Sequence, residues 1–172
     1  MDEDDLPYCI ETHFQVGVPE TDDVRVRRAV ASVLRAEGCP SAEVSVALLD
    51  ASAVSALNAQ YLGRQVETDV LAFDLTDAVR VSDDRRSERC PPLQGEVVVN
   101  VELARRLAAE RGVDPEAELM LYVVHGCLHL LGYDDGEADE AARMHRREDE
   151  LLVQMGYGKV YHAPGRQDRD EP

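Results

Sequence analysis

The segment from Asp114 to Asp135, DPEAELMLYVVHGCLHLLGYDD, constrains the fold of this chain more than any other. Asp114-Pro115-Glu116 reads as a helix start. The aspartate serves as N-cap, and a proline at the first helical position gives up an N–H that has no helical partner there. The predicted helix runs through a mostly apolar stretch to Leu131, so it has to be buried. His125 and His129 stand four apart within it.

Residues i and i+4 share one helix face, so the two rings can aim at a common point about 2 Å away, as zinc requires. A third ligand has to come from outside that turn. Gly132 can adopt a left-handed conformation and end the helix, letting the chain bend back with Asp134 or Asp135. Two imidazoles and one carboxylate leave a position open for water, as in a catalytic zinc site. The plainer reading is a pair of hydrogen-bonded core histidines; the glycine and the two following aspartates favour the metal. The spacing H-x3-H-x2-G-x2-D overlaps the extended zincin signature. The zincin glutamate, the general base of peptide hydrolysis, would fall at Gly126. A glycine cannot accept a proton, which argues against an ordinary zinc peptidase.

The remaining sequence predicts a single α+β domain over 1–172, with flexible ends at 1–7 and 163–172. Strands are expected at Tyr8–Val18, Glu43–Leu49, Thr68–Leu75 and Gly95–Asn100, from alternating or short buried apolar runs. Helices are expected after Thr21-Asp22-Asp23 up to Gly38, at Ala51–Leu62, at Val101–Arg111, through the histidines, and at about Glu137–Gln154. Asp77–Leu93, charged and containing Cys-Pro-Pro, reads as a loop. The result is a mostly four-stranded mixed sheet packed by about five helices, one of them a zincin-like histidine helix.

The chain carries 35 acidic against 18 basic residues, a net charge of -17. That opposes loose binding to nucleic acid or to an anionic membrane, although a local basic groove can still take a specific RNA. Arg25, Arg27, Arg28, Arg35 and Arg64 form one candidate RNA-facing group, and Arg105, Arg106 and Arg111 a second. Charged helix faces are more often simply solvated. Cys9, Cys39, Cys90 and Cys127 form no CxxC pair, and neither a signal peptide nor a membrane-spanning stretch is evident. A reducing cytoplasm is the expected location. Cys127 lies between the histidines but off their face, and is read as a small core residue. His145 is read as solvent-facing on a polar helix. His13 and His162 have no ligand-spaced partner, and the chain from His162 onward reads as a frayed tail.

HGCLHLLGYDD resembles the signature of the YbeY family, H-G-x-L-H-L-x-G-Y-D-H, with Asp135 at the last position. LNAQYLGRQVETDVLAFDL (Leu57–Leu75), GEVVVNVELARRLAAERG and the acidic helix EADEAARMHRREDELL are similar to further segments of that family. The resemblance covers roughly Val44 to Gly156. It implies a metal-dependent endoribonuclease that cuts single-stranded RNA in maturation of the small-subunit rRNA 3′ end and in ribosome quality control. rRNA and the ribosome or its small subunit would be the partners, with no membrane involved. It carries His125 and His129 over as zinc ligands and Asp135 as the third, a substitution that also makes manganese more competitive. Asp134 would support a ligand from behind or make a turn. Leu62 stands where the family has an arginine suited to phosphate, and Arg64 is the candidate substitute catalytic residue. Further departures are Glu67 for proline, Ala72 for serine and Glu96 for aspartate. Leu62 and Asp135 motivate a second reading, a catalytically weakened ribosome-associated protein that keeps the fold.

Overall fold

The computed structural model describes residues 7–15, 17, 21–76 and 92–162. Four strands, β1 (Tyr8–Phe14), β2 (Ala42–Leu49), β3 (Val70–Asp74) and β4 (Leu93–Asn100), form one sheet in the order β1-β2-β4-β3. β1 pairs parallel with β2 and β2 parallel with β4, while β3 runs antiparallel to β4 at the edge. Five helices accompany them among the described residues: α1 (Asp23–Ala36), α2 (Ala51–Leu62), α3 (Val101–Arg111), α4 (Pro115–Leu130) and α5 (Ala138–Gln154). The sheet is mixed and the class α+β, as the sequence predicts. β4 begins two residues earlier than expected and β3 is shorter at both ends. Residues 77–91 of the expected loop lie outside the described residues, as do 1–6 and 163–172 of the expected flexible ends.

The sheet is covered on both sides. Val44, Val46, Leu48, Val70, Val97 and Val99 point into the main core with α1, α3, α4 and α5. Ala47, Leu71 and Val98 point the other way and meet Val54 of α2. This alternation is the period of two that a pleated strand imposes. It also explains why the central strand β4 reads as an unbroken Val-Val-Val run, since both its faces are buried.

α4 is the central element. It packs on β3 and β4 and is flanked by α1, α3 and α5. Twelve of its 16 residues are buried, so it is apolar nearly all round. The Asp114 carboxylate accepts from the Ala117 N–H at 3.0 Å, with Pro115 in the first turn. Two glycines permit its close approach to the sheet. A Cβ on Gly126 would collide with Val97 Cγ1 and stand 2.9 Å from Val70 Cγ2. A Cβ on Gly95 of β4 would stand 2.6 Å from Leu130 Cδ1.

Replacing Gly126 by alanine gains about 1 kcal/mol of helix propensity. It forces overpacking against two buried valines, which costs about 1–3 kcal/mol. The expected net outcome for Gly126→Ala is a lower urea midpoint with unchanged slope, read from equilibrium unfolding.

Candidate metal centre

α4 ends in a Schellman motif. Gly132 adopts φ 93°, its N–H bonds to the His129 carbonyl at 3.1 Å, and the Tyr133 N–H bonds to the Leu128 carbonyl at 3.0 Å. The reversal places the Tyr133 carbonyl 3.0 Å from His129 Nδ1. Asp134 then makes an Asx turn, its Oδ1 accepting from the N–H of Asp135 at 2.7 Å and of Gly136 at 3.0 Å. Asp134 therefore sets the path of the loop, and of its two possible roles the turn is the one the contacts display. The tyrosine ring anchors the same loop. Its hydroxyl donates to Glu37 at 2.9 Å, Arg147 Nε holds the other oxygen of Glu37 at 2.6 Å, and Arg143 lies over the ring.

This path brings Asp135 back onto the helix. Its Oδ2 is 3.6 Å from His125 Nε2 and its Oδ1 is 3.7 Å from His129 Nε2. The two Nε2 atoms are 3.0 Å apart, with the rings edge to face. Four ligands at about 2.0–2.1 Å from a tetrahedral ion stand about 3.3 Å from one another, so these separations are compatible with one divalent ion shared by the three residues. The side chains of His125 and His129 are 12% and 26% exposed and that of Asp135 40%, so the triad opens to solvent on the aspartate side.

The far nitrogens fix the tautomers. His125 Nδ1 lies 2.5 Å from Glu148 Oε1, and His129 Nδ1 faces a carbonyl. Both acceptors require a proton on Nδ1, which leaves lone pairs on both Nε2 atoms. Two lone pairs 3.0 Å apart repel unless a proton or a cation lies between them. Carboxylate–histidine pairing of this kind orients metal ligands and raises their basicity.

Glu148 is buried and shared by two donors, since His145 Nδ1 lies 2.9 Å from its Oε2. His145 is thus half-buried and paired, in contrast to the solvent-facing position expected of it; the charged sequence of α5 hid its inner face. Burial opposes ionisation of Glu148, but the hydrogen bonds from His125 and His145 hold its pKa below the ordinary value. Burial likewise opposes charge on His125, but the Glu148 hydrogen bond and charge, with smaller help from Asp69 and Asp135, raise its pKa. Asp69 reaches this neighbourhood because two buried asparagines hold its loop. Asn58 Nδ2 donates to the Val66 carbonyl at 2.9 Å, and Asn100 Nδ2 to that of Thr68 at 3.2 Å. Glu148 and Asp69 were not among the residues the sequence singled out, and His145 was singled out only as solvent-facing. His145 and Glu148 stand three apart on α5, but that helix is rich in charge and reads as solvated, and Asp69 reaches the neighbourhood from a separate loop.

Cys127 is buried, and burial pushes its thiol up to about 12, consistent with a core role. His162 is not frayed, since its Nδ1 lies 2.7 Å from Asp149. Arg64 is exposed just past the left-handed cap Gly63. Among the described residues its side chain makes no ion pair or hydrogen bond, so the structure does not join it to the triad. Arg25, Arg27, Arg106 and Arg111 are paired with Glu116, Asp23, Glu67 and Glu118, which removes much of both candidate basic groups. The pair between Arg106 and Glu67 gives the glutamate at position 67 a structural role. No helix among the described residues is long and apolar enough to cross a membrane.

The fold and site define a compact α+β domain with a two-histidine, one-carboxylate centre of the kind that holds a divalent metal. The profile of the YbeY family, described as Endoribonuclease YbeY, matches residues 11–156. The endoribonuclease YbeY of Frankia alni is 39% identical over 80% of this chain and 77% of its own length. That of Mycolicibacterium paratuberculosis is 34% identical over 90% and 88%, and that of Geobacillus thermodenitrificans 35% over 80% and 86%. The solution structure of a Thermotoga maritima protein shares the fold, with a TM-score of 0.52 at 19% identity, over 95% of this chain and 99% of that one. The chain belongs to the YbeY family.

Two outcomes follow from the site's chemistry. Asp135→Ala removes one of the three candidate donors, and any divalent-metal affinity of the triad is expected to fall by about 100-fold or more, beyond the effect typical of outer contacts; metal content per purified chain checks this. The metal-free chain should also show a stability optimum in pH. The raised pKa of His125 means its pairing stabilises fully below the ordinary value of 6.5 and is lost as pH rises through the raised value. The lowered pKa of Glu148 means its share is present above the ordinary 4.5 and is lost as pH falls through the lowered value. Urea midpoints should therefore peak between those ordinary values and fall on either side.

Proposed function

We propose that this chain is a metal-dependent endoribonuclease specific for single-stranded RNA. We assign it to maturation of the small-subunit rRNA 3′ end and to ribosome quality control, with rRNA and the small ribosomal subunit as partners. The observation that carries the reading is the triad of His125, His129 and Asp135, with both Nδ1 atoms anchored and both Nε2 lone pairs aimed at one point. Zinc suits two imidazoles and a carboxylate at this spacing, and manganese competes because the third donor is an oxygen. When bound, such an ion supplies Lewis-acid chemistry toward a phosphoryl oxygen or a water.

The chain's own groups do the rest. Glu148 and the Tyr133 carbonyl orient the two rings. The Asx turn at Asp134 and the anchored Tyr133 ring hold Asp135 in place. The exposed aspartate side admits a substrate strand. Arg64 is the nearest replacement in sequence for the phosphate-binding cation absent at Leu62. It is assigned to the RNA backbone, a role its exposed position allows. A peptidase reading is disfavoured on steric grounds, because a glutamate side chain at position 126 would have to occupy the space of Val97 and Val70.

The test is cleavage of a single-stranded RNA spanning the 3′ end of small-subunit rRNA, with added zinc or manganese. The native chain should cut it and Asp135→Ala should not. Arg64→Ala should slow cleavage by about tenfold or more, the scale of losing one charge-stabilising donor. Unchanged cleavage in Arg64→Ala refutes the role given to that arginine. A native chain that binds metal but leaves RNA intact supports the weakened, non-catalytic reading, which the half-exposed Leu62 favours.

A further inference from the structure

The chain beyond α5 returns to the metal centre. Asp149, buried next to Glu148, gathers the segment Val160–His162 through both its oxygens. Oδ1 accepts from the N–H of Val160 at 2.9 Å and of Tyr161 at 2.8 Å. Oδ2 accepts from the His162 N–H at 3.1 Å and faces His162 Nδ1 at 2.7 Å. This clamp lays the Tyr161 ring flat on His145, with centroids 3.5 Å apart and planes 9° from parallel. His145 in turn reaches Glu148, and Glu148 reaches His125. Adjacent residues of α5 thus serve two ends of one chain of contacts, one holding a metal ligand and the other holding the strap that covers its support.

We propose that Val160–His162 is a positioning strap for the metal centre, with Tyr161 pressing His145 onto Glu148 and so fixing the His125 ring. The inference rests on His125 being a metal ligand. The family profile ends at residue 156, so the strap lies outside the matched region. The physical reason for the stack is that Glu148 has two donors to satisfy in a buried place. Without the tyrosine face, His145 can turn toward solvent, and water then competes for the carboxylate that orients His125.

The test uses the full chain, with Tyr161→Ala and Tyr161→Phe compared with the native protein. Zinc affinity is read by competition with a chromophoric chelator. In the metal-free protein, the His125 Nδ1 proton is followed by NMR as a downfield, slowly exchanging signal. Tyr161→Ala should bind zinc about tenfold more weakly, the lower end for outer contacts, and its Nδ1 proton should exchange faster with water. Tyr161→Phe keeps the ring face and should restore both. Native affinity and an unchanged Nδ1 proton in Tyr161→Ala overturn the proposal, reducing the strap to a cap on α5. A phenylalanine variant as weak as the alanine one overturns the stacking account. If the native chain takes up no metal, the reading of the site fails, while the Nδ1 proton still tests the strap.

Discussion

The site depends on how closely α4 can lie against β3 and β4. Because Gly126 has no side chain, the helix sinks onto Val97 and Val70, and the residues on either side are carried down with it. His125 and His129 then sit at the rim of the core rather than above it, where their distal nitrogens find fixed acceptors. Packing and chemistry are therefore one constraint here. A side chain at position 126 would press on Val97 and Val70, and a helix displaced by it would carry His125 away from Glu148 on α5.

The electrostatics follow a related logic. With an excess of acidic residues of this size, attraction between the whole molecule and a polyanion is unfavourable at long range. Several arginines that a sequence reading offers to a nucleic acid are already committed to carboxylates of the fold. On the reading proposed above, recognition of RNA would rest on short-range contacts at the open side of the triad. It also has to tolerate the charge that Asp135 adds there, which lowers the net charge of the centre relative to three neutral imidazoles.

Much of this was legible in the sequence, and the residues show why. The pairing of His125 with His129, the turn at Gly132 and the return of Asp135 are local events within eleven residues, governed by helix period and a left-handed glycine. The sheet was legible for the same reason, since Val97-Val98-Val99 and the alternation in β2 report burial directly. Glu148, His145 and Asp149 were not, because the last helix is amphipathic with many charges and a buried carboxylate looks like a solvated one in sequence. Their roles come from the packing of α5 on α4, a tertiary event no local pattern encodes. Arg64 shows the converse case, a residue chosen by proximity to a motif position that the fold leaves outside the contacts of the triad.

The orientation of Cys127 bears on how the centre meets oxidants. An exposed thiolate between the two candidate ligands would be open to peroxide and to disulfide exchange. Here the same helical turn that aligns the two imidazoles sends the sulfur into the core, where it stays protonated at any physiological pH. Neither sulfenic acid formation nor mixed-disulfide exchange has a thiolate to act on. The candidate donors are nitrogen and oxygen atoms, so none of the three offers a thiolate to oxidation.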